Sequence, residues 1–136
     1  MGRVIGVDHG TKRVGLAVGD DETGMAFPRP VVPAARAVER VAELARDEGT
    51  RSVVVGLPLN ADGSEGSQAR TARAFGDRLR AAGLEVDFSD ERWTTWAATD
   101  RAGAADRRRT GNAIDSAAAA LILEQYFADR RPLEET

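Results

Sequence analysis

The sequence predicts an α/β domain built on a mixed five-stranded sheet with helices on both faces. Three short apolar segments near the start have strand character, and two later strands alternate with helices of amphipathic pattern. With 136 residues, of which 42% are apolar, the chain can bury one core of two or three layers. We therefore expect a single domain over residues 1–136.

The first three strands are predicted from short apolar runs separated by turns. Val4–Val7 and Val14–Val18 lie on either side of a glycine-containing turn, which is typical of a hairpin. Met25–Val32 fits a third strand. Pro28 and Pro30 lack a backbone N–H and cannot donate to an interior ladder, so this strand is expected at an edge of the sheet.

The rest of the chain alternates between helical and strand periods. The predicted elements are, in order, a helix over Ala34–Glu48 that Gly49 ends, a strand over Ser52–Leu57, a helix over Ser67–Ala82 that Gly83 ends, a strand over Leu84–Phe88, a helix from Thr94 or Thr95 towards Arg101, and a last helix over Ala113–Ala128 capped by Asn112. Helices between strands produce parallel crossovers, and sheets of this kind bind ligands outside the carboxyl ends of their strands.

Composition excludes several classes of protein. The absence of cysteine excludes a disulfide framework, a thiolate zinc site and a cysteine nucleophile. A formal net charge of -3 argues against a histone-like nucleic-acid binder, although arginines can still cluster locally. No run approaches the roughly 18 apolar residues of a membrane span. We therefore expect a cytoplasmic protein with no membrane partner.

Three carboxylates fall where a ligand site is expected. Asp8 follows an apolar strand, and Glu91 follows the last strand. Asp115 begins a helix that is apolar on nearly all sides, and a buried carboxylate needs a partner or a metal. Each acid also has an ordinary alternative taken singly. Asp8 could be a turn aspartate, Glu91 a surface ion-pair partner of Arg92, and Asp115 a first-turn acid favoured by the helix dipole.

Together the three acids suit hard divalent cations. Carboxylate oxygens and water are the preferred ligands of Mg²⁺ and Mn²⁺. Two such ions about 4 Å apart can activate a water and stabilise the leaving oxygen of a phosphodiester displacement. We therefore expect Asp8, Glu91 and Asp115 to be both the metal ligands and the catalytic residues of a nuclease with a two-metal site.

Basic and aromatic residues near these acids are candidate nucleic-acid contacts. The basic set is Lys12, Arg13, Arg92, Arg107, Arg108 and Arg109. Arginine pairs well with phosphate, whereas the alternative is a solvated surface balanced by nearby acids. Trp93 and Trp96 could stack on bases, although core packing is the stronger alternative. His9 could be a proton shuttle or simply a loop residue.

Four segments resemble, in order and spacing, the motifs of the YqgF family, also called RuvX, which are small bacterial RNase H-like proteins. The segments are IGVDHGTKRVGLAVGD, VVVGLPLNADGSEG, DERWTT and IDSAAAALILEQY. The resemblance implies an RNase H-like fold, with the acidic site of the family at Asp8, Glu91 and Asp115. It also implies that Asn60, in the GLPLN segment, lies near the substrate. Similar proteins often carry lysines just before the final aspartate, and this chain does not.

The resemblance further implies a metal-dependent nuclease that matures the 5′ end of precursor 16S ribosomal RNA. RNA is therefore expected ahead of a four-way DNA junction as substrate, with ribosome-assembly factors as candidate partners. Holliday-junction resolution is one alternative, and it would favour a homodimer because two symmetry-related sites cut a symmetric junction. A non-catalytic RNA-binding module is another. An actin-like ATP-binding domain is a third, but it would need a second domain to enclose the nucleotide.

Overall fold

One mixed sheet of five strands organises the protein. The computed structural model describes residues 2–90 and 111–130, with side chains in the last segment described from Ser116 onwards. The strands lie in the order β3-β2-β1-β4-β5. Their bounds are Arg3–His9 for β1, Arg13–Asp20 for β2, Met25–Pro33 for β3, Ser52–Leu57 for β4 and Glu85–Asp90 for β5. The predicted mixed five-stranded sheet is therefore confirmed.

The strand directions follow from the connections. The β1–β2 and β2–β3 pairs are antiparallel hairpins, whereas β4 runs parallel to β1 and β5 runs parallel to β4. β3 lies at one edge, as Pro28 and Pro30 predict, and its pairing with β2 is irregular between Val14 and Leu16. The carboxyl ends of β1, β4 and β5 consequently meet at one edge of the sheet.

Three helices cover the two faces of the sheet. They are α1 at Ala37–Glu48, α2 at Ser67–Ala81 and α3 at Gly111–Arg130. α1 and α2 pack on one face, and α3 packs on the other, mainly against β1, β2 and β3. Gly49 and Gly83 have φ angles of 70° and 95° beyond α1 and α2, so both end a helix as predicted.

Two helix boundaries differ from the prediction. Residues Ala34–Arg36 form a short 3-10 turn ahead of α1, and the Ala34 N–H donates to the Lys12 carbonyl, which ties that turn to the first hairpin. Asn112 lies inside α3 and not at its N-cap, so the predicted cap is wrong. The predicted helix from Thr94 or Thr95 towards Arg101 falls outside the described residues.

Alternation along the strands sends apolar side chains into two cores. Ile5 and Val7 belong to the core under α1 and α2, whose largest member is the fully buried Phe75. Val4 belongs to the core under α3, where Leu123 is also fully buried. Across residues 2–90 and 111–130, no helix has both the length and the apolar character that crossing a bilayer requires.

Candidate active site

Asp8 lies inside β1 and not after it. It pairs with Gly15 of β2, and the ladder continues to His9 paired with Val14. The hairpin pairing therefore extends beyond the apolar run that suggested the strand end, and Asp8 is a ladder residue rather than a turn residue. Its side chain is half-buried. Because strand side chains alternate, Asp8 projects towards the α3 face and His9 towards the α2 face.

A tight turn that requires glycine at position 10 follows Asp8 and His9. A Cβ atom on Gly10 would stand 2.5 Å from the Arg13 carbonyl oxygen, so the hairpin closes only with glycine there. Lys12, on this turn, and Arg13, the first residue of β2, are both exposed. The hairpin thus presents two of the predicted phosphate contacts at the same edge as Asp8.

α3 packs on β1 through an unusually close approach at Gly6. A Cβ atom built on Gly6 would lie 2.6 Å from Leu123 Cγ and 2.8 Å from the Ala119 carbonyl oxygen. Nearer the other end of α3, a Cβ atom on Gly19 would lie 2.8 Å from Phe127 Cε2. Since Gly19 pairs with Val4, the helix runs antiparallel to β1 across the sheet.

This register relates the two acids on neighbouring elements. Asp8 lies two residues beyond Gly6 in β1, a step of about 6.7 Å. Asp115 lies four residues before Ala119 in α3, a step of about 6 Å in the matching direction. The backbones of Asp8 and Asp115 therefore reach the same edge of the sheet, and the Asp115 side chain is outside the described part of the chain.

Ser116, in the second turn of α3, ties this helix to β3. The sequence did not predict this contact. The Ser116 side chain is only 3% exposed, and its hydroxyl donates to the Arg29 carbonyl of β3 at 2.6 Å. A serine next to an acid carries no sequence signal for such a bond, because the partner is a backbone carbonyl 87 positions away. The bond holds the residue after Asp115 against the sheet.

A cleft of about 560 Å³ opens at this edge between the first hairpin and α2. It is lined by Asp8, His9, Gly10, Thr11, Pro58, Ser67, Gln68 and Thr71. The His9 ring packs against Phe75 of α2, with ring centroids 4.6 Å apart. Burial, and secondarily the charge of Arg78, lowers the pKa of His9 below its ordinary value. The contact orients α2 against the end of β1, and His9 is not a loop residue.

The segment between β4 and α2 is organised by its own polar groups. The Asn60 carboxamide donates to the Ser64 hydroxyl at 2.9 Å, and the Asn60 and Ser64 backbones are bonded at 2.8 Å. Arg73 of α2 donates three hydrogen bonds to Glu65, at 2.6, 2.8 and 3.0 Å. That hydrogen bonding, with the charge of Arg73, lowers the pKa of Glu65. Asn60 therefore has a role in shaping this segment beside the cleft.

The remaining predicted site residues lie outside the part of the chain that the structure describes. Glu91, Arg92 and the run Arg107, Arg108 and Arg109 lie in the undescribed segment 91–110, as do Trp93 and Trp96. Among the side chains that are described, no three acids or histidines come together as a metal site. Asp8 is the one predicted ligand whose side chain is described.

Comparison with known proteins identifies the family of this chain. A family model named RuvX and described as a Holliday junction resolvase matches residues 2–129. This chain belongs to the RuvX family. The resemblance inferred from the sequence motifs is thereby confirmed.

Similar proteins match nearly the whole of this chain. A protein of Opitutus terrae, named "Putative pre-16S rRNA nuclease", is 41% identical over 96% of this chain and 94% of its own length. A protein of Anaeromyxobacter sp. strain Fw109-5 with the same name is 43% identical, over 94% of this chain and 98% of its own. These names support a nuclease, as the sequence predicts.

Solved structures of similar shape confirm the RNase H-like fold of this family member. Thermus thermophilus RuvC in complex with a Holliday junction substrate superposes with a TM-score of 0.56 at 18% identity, covering 96% of both chains. A second Thermus thermophilus RuvC structure gives 0.51 at 19% identity, covering 94% of this chain and 95% of that one. At such identities the likeness concerns the fold alone.

Proposed function

We propose that this RuvX family member hydrolyses nucleic-acid phosphodiesters with divalent metal ions held by Asp8, Glu91 and Asp115. The observation that carries the proposal is the packing of α3 on β1 at Gly6, from which Asp8 and Asp115 approach the same sheet edge. The donor set also fits hard ions such as Mg²⁺ or Mn²⁺, because the chain has no cysteine and its single histidine packs on Phe75.

The protein's own residues have distinct tasks in this proposal. Asp8 lies on a paired strand and Asp115 on a packed helix, so the backbones that carry them are held in place, as metal ligands require. When bound, divalent ions supply an activated water and charge stabilisation for the phosphate and the leaving oxygen. Lys12 and Arg13, with Arg92 and Arg107 to Arg109, would pair with phosphates of the substrate strand.

RNA is the proposed substrate, in maturation of the 5′ end of precursor 16S ribosomal RNA. Relatives more than 40% identical over nearly the full chain carry the name "Putative pre-16S rRNA nuclease". This role accords with a cytoplasmic location and with ribosome-assembly factors as partners. A four-way DNA junction is the second candidate, since the RuvX model is described as a Holliday junction resolvase, and a homodimer would accompany it.

The test is a cleavage assay on a matched panel of substrates. Single-stranded RNA carrying a 16S precursor 5′ end, duplex RNA and a four-way DNA junction are each incubated with Mg²⁺, Mn²⁺ or a chelator. We expect metal-dependent cutting of RNA, with a roughly 100-fold or larger loss in Asp8→Asn and Asp115→Asn. Asp47→Asn, an exposed acid of α1, is the matched control and should cleave normally.

Each contrary outcome has a definite meaning. Full activity in Asp8→Asn would remove that residue from the site. Cutting of the junction ahead of RNA would make resolution the primary activity. RNA binding without metal-dependent cleavage of any substrate would favour the non-catalytic module.

A further inference from the structure

One face of α2 forms an uncharged wall of the cleft that Asp8 lines. Gln68, Thr71 and Phe75 are spaced by three and four residues, so they share one face of the helix. Phe75 packs on the His9 ring next to Asp8. Gln68 and Thr71, like Ser67 in the same first turn, are exposed and line the cleft. The wall is thus held at a fixed position relative to the candidate catalytic edge.

The polar groups of this wall are available to a ligand. The Thr71 hydroxyl donates to the Ser67 carbonyl at 3.0 Å, so it can offer only acceptor sites. Within residues 2–90 and 116–130, no hydrogen bond or ion pair engages the Gln68 carboxamide or the Ser67 hydroxyl. A carboxamide and a hydroxyl each donate and accept. These two side chains can therefore pair with a group that is itself both donor and acceptor.

The charge of the wall argues against phosphate as its ligand. The described residues that line the cleft include no lysine or arginine. Three arginines of α2 are engaged elsewhere: Arg73 pairs with Glu65, Arg78 lies over the Phe75 ring, and Arg80 donates to the Val86 carbonyl. Arg70 is exposed on α2 but does not line the cleft. Phosphate recognition favours cations, whereas sugar hydroxyls and base edges suit neutral polar groups.

We propose that Gln68, with Ser67 beside it, hydrogen-bonds a ribose 2′-hydroxyl of a nucleotide next to the scissile phosphate. This inference rests on the proposed nuclease function and names the feature of the substrate that the cleft selects. The 2′-hydroxyl is both donor and acceptor, and it distinguishes RNA from DNA at a given position. One such hydrogen bond changes affinity by about 2- to 10-fold.

The experiment measures binding in chelator, so that hydrolysis does not enter. Fluorescence anisotropy compares a single-stranded RNA with the all-deoxy strand of the same sequence, uracil being kept in both. We expect the unaltered protein to prefer RNA by about 2- to 10-fold for each bond formed. Gln68→Ala should weaken RNA binding by that factor and leave DNA binding unchanged. Circular dichroism confirms that the exposed substitution leaves the fold intact.

A matched control and single-site substrates sharpen the result. Gln125→Ala removes another exposed carboxamide, one that bonds Asp129 of α3 away from the cleft, and should behave as the unaltered protein. RNA strands with one deoxynucleotide on either side of the cleavage position should lose affinity for the unaltered protein but not for Gln68→Ala. Equal weakening of RNA and DNA, or an unchanged preference, overturns the inference.

The outcomes separate this inference from the function on which it rests. RNA cleavage that depends on metal, with an RNA preference unaffected by Gln68→Ala, contradicts the inference and leaves the nuclease proposal standing. A Gln68-dependent RNA preference without cleavage supports 2′-hydroxyl recognition and contradicts the nuclease proposal. A protein that binds neither strand contradicts both.

Discussion

Gly6→Ala should separate α3 from β1 and thereby disturb the two acids at the end of the sheet. The added methyl group would meet the Ala119 carbonyl oxygen at 2.8 Å, when ordinary contact begins at 3.4 Å. The helix backbone must therefore retreat by about 0.6 Å or the strand must bend, because a backbone carbonyl cannot rotate away. Leu123 Cγ, at 2.6 Å, must shift as well.

The size of the effect follows from this displacement. Overpacking of a buried position costs about 1–3 kcal/mol, which lowers Tm by roughly 3–15 °C in a domain of this size. A displacement approaching 1 Å at a catalytic constellation can reduce the rate by as much as about 100-fold. We expect Gly6→Ala to remain folded at 25 °C and to lose about 10- to 100-fold of its metal-dependent cleavage rate.

The assay compares thermal unfolding and cleavage rates with those of a matched variant. Gly76→Ala introduces a similar clash, 2.6 Å from Phe88 Cζ, but between α2 and β5 and against a side chain. Alanine also favours the interior of α2 by about 1 kcal/mol, which offsets part of the clash. Gly76→Ala should therefore be modestly destabilised and nearly fully active. A folded Gly6→Ala protein that cleaved at the unaltered rate would show that the close packing at Gly6 does not position the catalytic acids.

Two further predictions concern hydrogen bonds away from Asp8 and Asp115. Tyr126 is the only tyrosine, and burial together with its 2.7 Å bond to Asp87 raises its pKa to about 12. The neutral phenol is favoured in the folded state, so its stabilisation is complete below pH 10 and is lost as pH rises towards 12. Ultraviolet titration of the native protein should show that Tyr126 ionises at a raised pH, and Asp87→Asn should lower the pH at which it ionises. Glu65→Gln should speed hydrogen exchange in residues 58–66 with little change in Tm, whereas unchanged exchange would contradict a role in ordering that segment.

Periodicity and local chemistry were sufficient to predict most of the secondary structure. The two prolines of β3 identified an edge strand because neither can donate to a ladder. Gly49 identified the end of α1 because glycine adopts, without steric cost, the left-handed backbone conformation that ends the helix there. The end of β1 was misplaced, since pairing with β2 continues through Asp8 and His9 beyond the apolar residues. Cross-strand pairing is non-local, so the apolar pattern of one segment does not predict where the pairing ends.

The sequence indicated the candidate acids but not the contacts that support the elements carrying them. Asp8 and Asp115 stood out because each follows or begins an apolar element. The close approach at Gly6 depends on which face of α3 meets β1, and the bond from Ser116 to Arg29 depends on a distant backbone carbonyl. The pairing of His9 with Phe75 likewise joins residues from different elements. Such contacts arise from tertiary packing, which residue spacing within one element does not encode.

Calorimetric titration of Mn²⁺ into the unaltered protein, Asp8→Asn and Asp115→Asn tests the proposed metal site most directly. We expect the unaltered protein to bind Mn²⁺ and either substitution to weaken the binding at least about 10-fold. Asp47→Asn should bind as the unaltered protein does. Mn²⁺ binding of unaltered strength in Asp8→Asn or Asp115→Asn would contradict the proposal that these two carboxylates hold the metal.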